Sequence, residues 1–288
     1  MSNKLQTFIM LTLITLSQSV LSEPLFWHAQ KGHKQYLILG SIHMGTPDMH
    51  PLPEAIFHYL EDSDGLVTEI DISDDNYSWA ATTPPLLTQD SLNKEQQQQL
   101  AIINQELGYP EGAFLTAPAW QTALTLQVSL FKRLGLQQDL GIDRVITDLA
   151  IQKNIPITGL ESLEFQMDLF SKNPQVSKLL LTDTIDNWQQ HQQISRCLPK
   201  AWLAGDKSMM IQIGSESEIE NLITEQFIYQ RNQDWANKLN SISFLPDGRY
   251  LVVVGALHLV GQQNLLSLLS QKGFKVSQQS QSQQITCP

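Results

Sequence analysis

Two histidines leave the same short pattern at opposite ends of the chain. Tyr36-Leu37-Ile38-Leu39-Gly40-Ser41-Ile42-His43 and Tyr250-Leu251-Val252-Val253-Val254-Gly255-Ala256-Leu257-His258 each run from an aromatic residue through apolar ones to Gly-x-x-His. An imidazole can exchange a proton near neutral pH, or ligate a metal as the neutral ring. Glu69 lies within the apolar run Leu66-Val67-Thr68-Glu69-Ile70, where a carboxylate is costly to bury unless a metal or another cation accompanies it. Two ring nitrogens and one carboxylate, His43, His258 and Glu69, form a donor set for a divalent ion that leaves positions open for water. They could equally form an acid–base site. One Gly-x-x-His after a strand carries little weight, and it is the matched pair that points to a shared site. The plainer reading of Glu69 is an edge strand with its carboxylate in water.

Other candidates are weaker. Arg231-Asn232-x-x-Trp235 falls on a long helical stretch, and the Arg231 and Asn232 side chains are donors that could orient a substrate carbonyl or stabilise an oxyanion. A salt bridge to a nearby acid is the ordinary use of Arg231, and Trp235 reads as packing. Glu54 and His58, four apart with Glu61 beyond, could hold a metal but match a solvated helix face. His28, His33 and His191 read as surface residues. The zinc-peptidase His-Glu-x-x-His and the Gly-x-Ser-x-Gly elbow are both absent. Cys197 and Cys287 are the only cysteines. They can close a disulfide in an oxidising compartment or remain two thiols, and neither has the setting of a catalytic thiol.

The elements that must carry these residues are legible in outline. Short Leu/Ile/Val runs ending in glycine read as strands buried on both faces, and ligands of open α/β sheets bind beyond the carboxyl ends of such strands. A hairpin turns at Lys31-Gly32, and its second arm becomes the first buried strand. Further strands are expected over 65–72, at Pro156–Leu160, after Asp247-Gly248, and near Phe274–Val276. Helices are expected over 53–61, 90–107, 117–134, from Gly141-Ile142-Asp143 to about 154, and from Glu161. The stretch 175–240 reads as nearly all helix, with Ser215-Glu216-Ser217-Glu218 resembling a capping box. A helix over 261–272 and a loose Gln/Ser-rich tail at 278–284, unless Cys287 anchors it, complete the chain. The fold class is α/β: a mainly parallel central sheet flanked by helices, with a helical insertion at about 175–240.

Residues 1–22 read as a signal peptide. Met1-Ser2-Asn3-Lys4 is a positive start, Phe8–Leu16 an apolar core, and cleavage is expected before Glu23. That core is shorter than the roughly 20 residues a membrane span needs. Of 288 residues, removing 22 leaves 266, read as one domain over 23–288, and losing Lys4 moves the formal net charge from -11 to -12. Such an acidic chain is a poor partner for nucleic acid or anionic membranes. The expected location is periplasmic or secreted, with no stable membrane span after cleavage.

Seven segments taken in order resemble the TraB/GumN family, in its GumN-like branch. They are Gly40-Ser41-Ile42-His43 with Pro51-Leu52-Pro53; Glu69-Ile70-Asp71; Gly141-Ile142-Asp143; Gly159-Leu160-Glu161; Trp202 to Asp206; Arg231-Asn232-x-x-Trp235; and Gly255 to Gly261. That family is related to the Tiki metalloproteases, which cleave Wnt proteins, and more distantly to erythromycin esterase and ChaN-like proteins. The resemblance covers essentially the whole mature chain. It implies a metal site at His43, Glu69 and His258, with manganese or cobalt as the divalent metal ion and zinc as a further option. It also implies metal-dependent hydrolysis of a peptide or protein substrate. Within that reading, the donors Arg231 and Asn232 are expected to bind the substrate or the developing oxyanion, and Glu161, expected to start a helix after a strand's end, is expected to be a supporting acid or general base. Gln230 departs from the acid that relatives often place before Arg-Asn. The alternative on the same scaffold is a non-catalytic protein that binds or sequesters a peptide or haem.

Overall fold

The structure, a computed structural model, describes residues 22–73, 84–215 and 220–287. Most of the leader and of the Ser215–Glu218 box therefore lie outside the described residues. The chain opens with the hairpin β1 (Phe26–Lys31) and β2 (Lys34–Ser41). Gly32 turns it with φ 58°, a conformation that costs glycine little because it has no Cβ. After β2 come α1 (Glu54–Glu61), β3 (Gly65–Thr68), α2 (Thr88–Ser91), α3 (Lys94–Leu107), α4 (Ala119–Arg133) and α5 (Ile142–Gln152). Next are β4 (Ile157–Gly159), α6 (Leu163–Ser171), α7 (Pro174–Asp186), α8 (Trp188–Leu203), α9 (Lys207–Ser215) and α10 (Glu220–Thr224). A π-helical segment, Glu225–Tyr229, runs directly into α11 (Gln230–Asn240). The chain closes with β5 (Gly248–Gly255), a 3-10 turn (Ala256–Leu259), α12 (Leu265–Gln271) and β6 (Lys275–Gln278).

The six strands form one sheet in the order β4-β3-β5-β2-β1-β6. β4, β3, β5 and β2 are parallel, while β1 runs antiparallel to both β2 and β6. The fold is thus α/β with a mainly parallel sheet flanked by helices. Leu37–Leu39 and Leu251–Val254 sit at its centre, fully or almost fully buried. Burying each such side chain is worth about 1.5–3 kcal/mol relative to leaving it exposed. A second apolar cluster joins α3, α4 and α7 through Leu100, Ile103, Leu126, Leu130, Leu181 and Ile185. Among the described residues, no helix is long and apolar enough to cross a membrane.

Several boundaries differ from the sequence expectation for local reasons. The strand expected over 65–72 stops at Thr68, so Glu69 lies just past its end. The helix expected over 90–107 is divided because Asn93 caps α3, its side chain accepting from Gln96 N at 2.9 Å. The last helix starts only at Leu265, where Asn264 accepts from Ser267 N at 2.9 Å. Cys197 and Cys287 are bonded, with their Cα atoms 5.6 Å apart. The tail is anchored further where Ile285 N donates to the buried Asp206 Oδ2 at 2.8 Å and Gln283 N to Ala204 O at 2.8 Å.

Candidate functional site

Each of the four parallel strands delivers one site residue just beyond its carboxyl end. β2 leads to His43, β3 to Glu69, β4 to Glu161, and β5 to His258 on the 3-10 turn. This is the edge where open α/β sheets bind ligands. The two histidine motifs lie on neighbouring strands, in register at Tyr36–Tyr250. Their glycines are staggered by one residue, Gly40 facing Val254 and Gly255 facing Ser41. The stagger was legible in sequence, since three apolar residues separate Tyr36 from Gly40 and four separate Tyr250 from Gly255. Side chains alternate along a strand, so a one-residue offset breaks the equivalence of the two copies. Their environments differ accordingly: the His43 side chain is 71 % exposed, whereas His258 is 4 % exposed.

Asp143 on the first turn of α5 orients His43. Its Oδ2 accepts from His43 Nδ1 at 2.8 Å, and its Oδ1 accepts from Ser41 Oγ at 2.7 Å. That leaves Nε2 for a cavity of about 100 Å³ lined by His43, Thr68, Glu69, Asp143, Thr147 and Gln166, among others. The Thr147 hydroxyl is buried there without a hydrogen-bond partner among the described residues. Backbone bonds hold the loop after β2 against the entry to α5: Ile142 N donates to Ile42 O at 3.0 Å, and Gly45 and Gln137 exchange bonds of 2.9 and 2.8 Å. The approach is so close that a Cβ at Gly45 or Gly141 would overlap the backbone of Leu140 or His43. In sequence, Asp143 reads as part of a helix start, the usual place for an acid near a helix N-terminus, and as the end of the segment Gly141-Ile142-Asp143; neither reading gives it a chemical role. Gln166 and Thr147 carried no signal of their own.

Arg231 is the hub of the buried half. Its Nη2 donates to Glu69 Oε2 at 2.6 Å and also to Glu161 Oε1; its Nε donates to Glu161 Oε1 at 2.9 Å. Nη1 donates to Phe227 O at 3.1 Å, within the π-helical segment, and to His258 Nε2 at 3.2 Å. The guanidinium also lies 4.6 Å from the centre of the Trp235 ring. Glu69 Oε1 accepts from Gly255 N at 2.7 Å, and Gln166 Nε2 bridges Glu69 and Glu161. Trp235 Nε1 donates to Glu161 Oε2 at 3.1 Å. Glu69 is therefore not an edge carboxylate in water. The cation its burial requires is present, and it is Arg231.

Asn232 sets the state of His258. Its Nδ2 donates to Gln263 O at 3.0 Å, so its Oδ1 faces His258 Nδ1 at 2.7 Å and accepts from it. Nδ1 then carries the proton and Nε2 the lone pair. Burial, with Arg231 alongside, holds the His258 imidazolium down to about 3, against the pull of Glu69. For Glu69, burial pushes the carboxyl up, but positive charge on His258, Arg231 and His43 and the Gly255 N–H more than reverse this, leaving it at about 2. With His258 neutral at pH 7, Arg231 is the nearest fixed charge acting on Glu69. Asp143, by charge and hydrogen bond, raises the His43 imidazolium to about 9; at 71 % exposure water screens part of this pairing.

These directions fix a pH dependence of stability. Below 6.5 an unfolded His258 takes a proton that the folded chain refuses down to about 3, so stability falls as pH drops through that window. Glu69, depressed from 4.5 to about 2, adds a second loss over its own lower window. The expected result is a loss on the order of 1 kcal/mol per pH unit below about 6.5. Urea unfolding at pH 7 and pH 4.5 measures it, and equal stabilities would contradict the assignment.

As arranged, the three residues expected to bind metal do not offer three free donor atoms. Among the described residues His43 Nε2 has no hydrogen-bond partner, and its Nδ1 is held by a carboxylate, as metal-ligating histidines usually are. Glu69 Oε2 and His258 Nε2 are both engaged by Arg231. Among the described residues, no group of three or more His, Cys, Asp and Glu side chains is disposed to hold a metal ion. Arg231, Asn232 and Glu161 do join the same cluster, as positioning groups for Glu69 and His258.

The chain is 33 % identical over 238 residues to the uncharacterized protein YbaP of Escherichia coli (strain K12), covering 83 % of this chain and 89 % of that protein. The YbaP protein of Shigella flexneri matches to the same extent. No solved structure matches the chain. The model of the TraB/PrgY/gumN family matches residues 25–278, and with them the strand ends, Arg231 and both Gly-x-x-His motifs. The chain belongs to the TraB/PrgY/gumN family.

Proposed function

We propose that this chain is an exported hydrolase acting on a peptide or protein substrate, with its chemistry at the His43 cavity. The observation that carries this reading is the Asp143–His43 pair, 2.8 Å apart, at a cavity that His43 lines together with Glu69. Nε2 would take a proton from the attacking water and return it to the leaving amine, while Asp143 holds Nδ1–H. With the His43 imidazolium raised toward about 9, the basic form grows as pH rises, and kcat/KM should rise with it. The Cys197–Cys287 bond supports an oxidising destination, periplasmic or secreted. Metal dependence, with manganese, cobalt or zinc, belongs to the same proposal. It has one geometric condition, that Arg231 release Glu69 and His258.

Peptide-library hydrolysis read by mass spectrometry, with chelator and with added manganese or cobalt, tests the proposal. His43→Ala is expected to lower the rate by about 10²-fold or more. Full activity in the His43→Ala, His258→Ala double variant would overturn it, as would the absence of any cleavage by the unaltered chain under all of these conditions.

A further inference from the structure

We propose that Arg231 is the resident cation of this site, and that it and a divalent ion cannot occupy Glu69 and His258 together. The single lone pair of His258 is on Nε2, because Asn232, pinned by Gln263 O, requires a proton on Nδ1. Arg231 Nη1 lies 3.2 Å from that Nε2. An ion bound to the same lone pair at about 2.0–2.2 Å would sit about 1 Å from the Arg231 nitrogen, which no rearrangement of the ion alone can relieve. At Glu69 the conflict repeats, since Oε2 is 2.6 Å from Nη2.

The guanidinium is fully engaged where it stands, so stepping aside would cost it its partners. Its Nε, Nη1 and Nη2 together donate to Glu161, Phe227 O, His258 and Glu69, which uses all five of its N–H donors. Trp235 covers one face. Two carboxylates against one guanidinium leave one formal negative charge in the cluster. A divalent ion added beside Arg231 would turn that into a positive charge in a buried place, where little solvent screens it. Metal binding at these two residues therefore has to displace Arg231, and any divalent ion the unaltered chain takes up is held without His258. This concerns the same cavity edge but does not rest on hydrolysis, because it is read from a binding equilibrium without substrate.

The experiment is Mn²⁺ titration of the full chain, followed by the electron paramagnetic resonance of free Mn²⁺. It compares the unaltered protein, His258→Gln, Arg231→Lys and the double variant, each checked for fold by circular dichroism. His258→Gln alone is expected to change affinity by less than about twofold. Arg231→Lys, which keeps a charge but loses the planar fork, is expected to tighten binding about tenfold, and adding His258→Gln should remove that gain. The proposal is overturned if His258→Gln alone weakens binding more than twofold, if Arg231→Lys binds no tighter, or if its gain survives in the double variant. Should Arg231→Lys fail to fold, the first comparison decides by itself.

Discussion

Replacing Arg231 with methionine is expected to destabilise the folded chain by about 3–5 kcal/mol at neutral pH. The substitution keeps most of the volume but removes the cation that, among the described residues, is paired with two carboxylates that are 8 % and 3 % exposed. Neither can return to water without opening the packing between α11 and the strand ends, so each must stay charged and unpaired or take up a proton. That choice gives the effect a pH signature. Without Arg231, burial is left to push the Glu69 carboxyl up, so the penalty is greatest at neutral pH, where Glu69 must stay charged, and shrinks as pH falls. Urea unfolding of both proteins at pH 7 and pH 5 should show a large difference that narrows at the lower pH. A variant within 1 kcal/mol of the unaltered chain at pH 7 would mean that the ion network contributes little to the fold.

Removing the disulfide with Cys197→Ser and Cys287→Ser should cost about 2–5 kcal/mol, the upper part of that range being expected from the 90-residue separation it closes. The loss has a defined location. The bond ties the tail to α8, next to the buried Trp202, whose Nε1 donates to Gly40 O at 2.7 Å behind the first histidine motif. Residues 279–281 are also bonded to Phe26 and Glu23, so the loss should fall on 282–287, where the bonds at Asp206 and Ala204 are too few to hold the chain by themselves against its entropy. Limited proteolysis should therefore cut the variant within 282–287 and leave the unaltered protein whole there. Unchanged urea midpoints together with an uncut tail would show that the bond is dispensable.

Much of the fold was open to sequence reading because its signals are local. Runs such as Leu251–Val254 have no polar face to show and must be covered on both sides, which places them in a parallel sheet. The glycines that end them mark where the chain leaves the sheet. Boundaries were less legible where a short-range cap decides them, as Asn93 does for α3 and Asn264 for α12. The site was partly legible. Glu69 in an apolar run implied a buried carboxylate and a counter-cation, but whether that cation was a metal or a side chain depends on a residue 162 positions away. Asp143 shows the same limit: its partner His43 is 100 residues distant, and no local pattern separates a helix-opening acid from one that orients an imidazole.

What the residues determine by themselves is the α/β class, two strands that end in Gly-x-x-His, and an acid, Glu69, that needs a counter-cation wherever its apolar run is buried. These follow from hydrophobic run length and from the energy of burying charge, both of which act over a few residues. Only the tertiary structure decided how those side chains are divided. His43 opens to a cavity under Asp143, while His258 is closed by Asn232 and Arg231, because a one-residue stagger between β2 and β5 sets the two copies in different surroundings and long-range hydrogen bonds then assign each lone pair.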